Sequence, residues 1–163
     1  MSAGTVPRTG IVVMAYGSPA STEEVEGYYT HIRRGRPPKA AQLEELVRRY
    51  RAIGGTSHLT RRTLEQVSAI EANLDADGFV VCLGQKHAAP FVEDAVATLA
   101  GAGVERIVGL VLAPHHSAAS VGEYHRRAEA AAATGGIPYT PIHSWHLLDE
   151  LVEFQARALR TAL

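Results

Sequence analysis

A single cysteine, Cys82, and an almost even balance of charge mark this sequence of 163 residues. One cysteine excludes an internal disulfide, a four-cysteine metal site and an iron–sulfur cluster. Cys82 lies in the apolar run Phe79-Val80-Val81-Cys82-Leu83, so a buried structural thiol is expected. With 16 Lys and Arg against 17 Asp and Glu, the formal charge is −1. That balance gives no reason to expect nucleic acid or an anionic membrane as partner, and anion recognition must come from local clusters. No run of about 20 apolar residues and no signal-peptide pattern occurs. No integral membrane segment and a cytoplasmic location are therefore expected.

Apolar residues make up 46% of the chain, enough for one domain with a real core. Short apolar runs alternate with longer helical patterns. Gly10 to Tyr16, Phe79 to Leu83 and Arg106 to Leu112 read as buried strands, and Ile137 to Ile142 as a weaker one interrupted by Pro138 and Pro141. Near-continuous hydrophobic strands imply an α/β fold: an open parallel sheet with helices on both faces. Ser21 with Glu24, and Ser120 with Glu123, fit capping boxes. Thr60 is placed to cap a helix through Leu64, Val67, Ile70 and Leu74, and Pro90 to open one through Phe91, Val92, Ala95, Val96 and Leu99. Leu147 to Leu163 reads as a last helix.

Ligands of open α/β sheets bind beyond the carboxyl ends of the strands. That rule selects the segments after Tyr16, Leu83 and Leu112. The stretch 18–55 is far longer than an ordinary crossover and carries the basic run His31-Ile32-Arg33-Arg34-Gly35-Arg36, which suits a cleft wall.

Several ordered segments resemble the N-terminal half of the ferrochelatase family, of the coproporphyrin III type. They are Val13-Met14-Ala15-Tyr16-Gly17-Ser18-Pro19, Tyr28-Tyr29-Thr30-His31-Ile32-Arg33-Arg34-Gly35-Arg36, Arg49-Tyr50-Arg51-Ala52-Ile53-Gly54-Gly55 with Ser57, Gly84-Gln85-Lys86-His87, Pro90 to Val96, Leu112-Ala113-Pro114-His115 with Ser117, Ser120 and Tyr124, and Ser144-Trp145. The tyrosine in the first turn and the Thr30-His31-Ile32-Arg33-Arg34 stretch resemble the coproporphyrin type more than the protoporphyrin type. One departure stands out: His58 occupies the place of a proline usual in the family, which loosens the turn presenting Ser57.

The resemblance implies that residues 1–163 form one of two similar halves facing across a porphyrin cleft. Tyr16 would be an axial ligand to the inserted iron. Arg33, Arg49, Tyr50, Ser57 and Tyr124 would contact the macrocycle or its carboxylates. Chemistry agrees: guanidinium groups bind carboxylates through paired hydrogen bonds, tyrosines offer a ring and a hydroxyl, and a phenolate ligates ferric iron. The family's metal-ligating histidine and its glutamate belong to a second half, and neither segment occurs here. No catalytic residue is therefore expected in this half, no prosthetic group is implied, and ferrous iron is a substrate. His115 is a lesser candidate for a metal ligand. Its Ala113-Pro114-His115-His116 surroundings match a first-half segment, so a hydrogen-bonded structural histidine is expected. His87 is expected to satisfy backbone groups of its turn, and His31 either to support the arginine loop or to be solvated.

Three functions remain open on these grounds. The chain is the porphyrin-binding half of an enzyme that inserts ferrous iron into coproporphyrin III, completed by its missing second half. Or it pairs with a second copy of itself as a half-size chelatase, with Tyr16 and His115 facing across the pair. Or it binds porphyrin or haem without catalysis.

Overall fold

A computed structural model describes residues 8–163; residues 1–7 of the expected domain lie outside the described residues. The elements run β1 (Thr9–Ala15), α1 (Val25–Ile32), α2 (Ala40–Ala52), α3 (Leu59–Ala72), β2 (Phe79–Gln85), α4 (Val92–Gly101), β3 (Arg106–Val111), α5 (Val121–Thr134), β4 (Tyr139–Ile142) and α6 (Asp149–Ala162). All strand pairs are parallel, in the order β2-β1-β3-β4. The expected α/β sheet is therefore present. β4 forms despite its proline because it is an edge strand, bonded only to β3, where a missing N–H costs least.

Every residue of β1 is buried, because the strand is paired on both sides and covered on both faces. Register sorts the side chains. Val12 lies level with Cys82 and Gly109, and Met14 with Gly84 and Val111. This face meets Val92, Ala95, Val96 and Leu99 of α4 and Val121, Tyr124, Ala128 and Ala132 of α5 in one core. The crossover from β1 to β2 leads one way across the sheet, and those from β2 to β3 and β3 to β4 lead the other way. Right-handed connections then place α3 on the face opposite α4 and α5. Cys82 is only partly buried, against the main core, and burial pushes its thiol pKa up.

The helix starts differ from those expected. Glu24 accepts from the N–H of Ala20 (2.9 Å), one residue before Ser21, and α1 begins without a side-chain cap. Ser120 does precede α5, but its side chain caps nothing, and Glu123 is drawn instead to Lys86. Thr60 lies inside α3 and bonds Ser18 (2.8 Å between hydroxyl oxygens). Pro90 stands outside α4, where its carbonyl accepts from the N–H of Gln85 (2.7 Å), while Asp94 caps the N–H of Phe91 (2.8 Å). Thr60 and Glu123 are taken by distant partners, whereas Glu24 and Pro90 bond close neighbours in the chain, Ala20 and Gln85.

Gly84 lets α4 close on β2: a Cβ there would stand 2.9 Å from the Cα of Val92. Because that neighbour is backbone, Gly84→Ala should cost about 1–3 kcal/mol, read as a lowered thermal midpoint with the α/β circular dichroism retained. An unchanged midpoint would contradict so close an approach.

Candidate functional site

The chain leaves β1 at its carboxyl end through Tyr16, which is 45% exposed. Gly17 follows in the left-handed region (φ +88°), and a Cβ there would meet Ala88 at 3.0 Å. The turn is clamped from three directions. Tyr28 of α1 donates its hydroxyl to the Gly17 carbonyl (2.9 Å). Ser18 bonds Thr60 of α3. The N–H of Lys86 donates to the Ala15 carbonyl (2.9 Å), and that of His87 to the Tyr16 carbonyl (3.0 Å). The parallel pairing of β1 with β2 thus runs on past the sheet and sets Tyr16 beside His87, with ring centres 4.6 Å apart.

His87 also meets His31 of α1, Nδ1 to Nδ1 at 3.0 Å, and His31 stacks on Phe91. One Nδ1 must carry the shared proton for that contact to bind. Burial, then His31 and the cations Lys86 and Arg127, pull the His87 pKa from 6.5 down to about 4. Below them lies a pair of ion pairs. Lys86, 8% exposed, reaches Glu123 (2.8 Å) and lies over the Tyr124 ring. Arg127 grips Glu93 with two bonds (2.7 and 2.6 Å) and donates to the Lys86 carbonyl (2.8 Å). These charges are half-buried and individually matched, so they act as a rigid floor.

A cleft of about 760 Å³ opens above this floor, lined by Tyr16, His31, Arg34, Lys86, His87 and Glu123 among others. That volume falls in the range of small-molecule sites. Beyond Pro19 a second groove of about 690 Å³ runs along α3, lined by Ser57, Thr60, Arg61 and Leu64.

The candidates from the sequence are distributed over this region. Tyr16 is in the cleft. Tyr124 is 4% exposed and sits beneath it, under Lys86, where burial raises its hydroxyl pKa. Ser57 lines the neighbouring groove, its Oγ accepting from the N–H of Leu59 (3.1 Å), so the turn without proline is held by its own serine. Arg33 donates to Gln42 (3.1 Å). Arg49 pairs with Glu45 (2.8 Å), whose carboxyl Arg48 and Arg49 hold down at about 2. Tyr50 is half-buried, and burial with nearby Tyr29 raises its hydroxyl pKa. His115 is exposed and stacks on His146 with ring centres 4.8 Å apart; it has no side-chain hydrogen bond among the described residues, unlike the structural histidine expected. Among the described residues no group of three or more His, Cys, Asp and Glu is arranged to hold a metal ion. The pairing of His31 with His87, and the floor of Lys86, Glu123, Arg127 and Glu93, escaped sequence reading because the partners lie 56, 37 and 34 residues apart.

An α/β sheet with a tyrosine-bearing cleft beyond its central strand defines the class. The model of the family described as ferrochelatase matches residues 8–163, and the chain belongs to that family. It is 46% identical over 153 residues to the coproporphyrin III ferrochelatase of Geobacillus sp. (strain WCH70), covering 90% of this chain and 49% of that one. It is 41% identical over 157 residues to the coproporphyrin III ferrochelatase of Oceanobacillus iheyensis, covering 94% and 50%. The chain thus spans about half the length of these curated relatives. Among the described residues no helix is long and apolar enough to cross a membrane.

Protonation should loosen the cleft. An unfolded histidine titrates near 6.5, whereas His87 in the fold stays neutral down to about 4. The unfolded state then binds more protons between these values, so stability is full above about pH 6.5, falls as the pH drops, and levels off below about pH 4. His125, whose pKa burial also lowers, acts in the same direction. Urea unfolding at pH 7.5 and pH 5.0 should show a smaller loss for His87→Asn than for the parent chain. Equal losses would contradict a neutral His87.

Proposed function

We propose that this chain is the porphyrin-binding wall of an enzyme that inserts ferrous iron into coproporphyrin III. The observation that carries it is Tyr16, held by Tyr28, Thr60 and the β2 backbone at the mouth of the cleft, with its ring half-exposed. A porphyrin laid there would face the phenol with its metal position, and a phenol oxygen suits an iron ion once inserted. The names of the relatives supply the substrate class, and each relative is about twice as long as the region matched.

Insertion exchanges two pyrrole protons for one divalent ion, so protons must leave the ring as metal–nitrogen bonds form. In this half the imidazole of the neutral His87 packs beside the Tyr16 ring, but its Nδ1 is already engaged with that of His31. The metal-ligating histidine and the glutamate that take the ion and the protons are assigned to a second half. This half orients the disc: Tyr16 and His87 offer ring surface, the ion-paired floor fixes their height, and Arg33, Arg49, Tyr50, Ser57 and Tyr124 form the surroundings within which the macrocycle and its carboxylates settle.

A second reading is pairing of two copies. It rests on α6, which makes little contact with the other elements and leaves Val152, Phe154 and Leu159 exposed, next to exposed Leu147 and Leu148 just before it. That apolar surface requires a cover, either the second half or another copy. Iron insertion into coproporphyrin III, followed by absorbance, separates these readings. With a second-half polypeptide added, insertion should appear, and Tyr16→Phe should lower it. Insertion by this chain alone would establish the paired-copy reading. No insertion under either condition, with both polypeptides folded, would overturn the enzyme reading.

A further inference from the structure

Five of the eight histidines in the chain meet beyond the carboxyl ends of β3 and β4. His115 and His116 follow β3, His125 lies in α5, and His143 and His146 follow β4. His143 stands edge-on to both His116 and His125, with ring centres 5.6 and 5.7 Å apart, and His146 stacks on His115. No carboxylate pairs with any of the five among the described residues.

His125 is the buried member, 5% exposed. The Ile142 carbonyl lies 3.2 Å from its Nε2 and can only accept, so Nε2 carries the hydrogen. In the neutral ring Nδ1 then accepts from the Tyr139 hydroxyl (2.6 Å). Gly109 of β3 leaves the space for that hydroxyl, which a Cβ there would overlap. One neutral imidazole thus ties α5 to both ends of β4.

What this tie fixes is α6. That helix makes little contact with the other elements, so the segment 143–148 sets where it stands. Within the segment, Trp145 donates its indole N–H to the Val111 carbonyl (2.9 Å) and its backbone N–H to the Pro114 carbonyl (3.0 Å). The direction in which α6 presents Val152, Phe154 and Leu159 depends on this corner, whatever covers them.

We propose that His125, flanked by His143, is an acid-released latch that sets the direction of α6. A proton added to the closed latch sits on a buried Nδ1, edge-on to a second imidazole of the kind that also gains charge in mild acid. Tyr139 must then turn its hydroxyl from donor to acceptor. The other groups around His125 are His116 and, on α5 itself, Glu129 and Arg126; Arg126 turns to the Ala118 carbonyl (3.3 Å). Burial, with His143 and His116, outweighs the Ile142 carbonyl and Glu129 and holds the His125 pKa below its ordinary value. Opening the corner returns His125 to water, where it titrates near 6.5. The open form therefore binds protons that the closed form lacks. The latch is at full strength above about pH 6.5 and weakens as the pH falls.

Trp145 is the one tryptophan of the chain, so its indole N–H signal reports the latch directly. The test is exchange of that N–H with water, followed by nuclear magnetic resonance at pH 7.5 and 5.0 and divided by the rate of a free indole at the same pH. This protection should fall about tenfold in the parent chain between the two values. His125→Gln keeps an N–H for the Ile142 carbonyl and takes no proton, so its fall should be less than about twofold. His143→Asn, an exposed position, should reduce the fall to about threefold by removing one neighbouring charge. At pH 5.0 the indole should also be less protected than the amides of Val12 and Met14 in β1, which open only with the whole fold. Equal protection of the parent at both pH values would overturn the latch. A tenfold fall in both variants would do the same, and if His125→Gln does not fold, a tenfold fall in His143→Asn suffices. Indole protection equal to that of Val12 and Met14 would also overturn it, by assigning the effect of acid to unfolding of the whole chain.

Discussion

Burial of β1 from end to end is the constraint on which the rest of this structure depends. A strand hydrogen-bonded on both edges and covered on both faces has no freedom in where it ends. The residue after it must emerge at the carboxyl edge of the sheet, where helices on opposite faces diverge and leave a crevice. Tyr16 is that residue. Its position owes little to local preference and much to Val12 and Met14, whose burial under α4 and α5 fixes the register two and four residues earlier. The extra backbone pairing of Tyr16 with His87 then carries the order of the sheet into the site.

The cleft gains its character from neutralisation. Lys86 and Arg127 would by themselves make a strongly cationic floor. Each is answered by a carboxylate brought from a different element, and the desolvation of four half-buried charges is offset by close, multiple bonds. What remains is a surface of aromatic and imidazole rings with a guanidinium at its margin. Such a surface suits a flat, apolar ligand with acidic edges better than a small free anion.

The fold was legible because buried parallel strands are written as continuous apolar runs; even β4, interrupted by Pro141, was readable as a weaker strand. Helix starts were less so. Ser21, Thr60, Pro90 and Ser120 each sit near a helix start with suitable local chemistry, yet Thr60 and Glu123 went to the distant Ser18 and Lys86, and Glu24 and Pro90 to the neighbouring Ala20 and Gln85. The position of Tyr16 at a strand end was legible; its neighbours were not, since His31, His87 and Glu123 converge only when the sheet and its crossovers are in place.

Membership of the ferrochelatase family leaves one question at the centre: whether the porphyrin lies in the Tyr16 cleft. Amide chemical-shift mapping of the isotope-labelled chain on addition of coproporphyrin III answers it most directly. A porphyrin wall in this cleft predicts the largest shifts at Tyr16, His31, Arg34, Lys86 and His87, with smaller ones beneath at Tyr124. Shifts confined to the groove of Ser57, Arg61 and Leu64, or to α6, would contradict it.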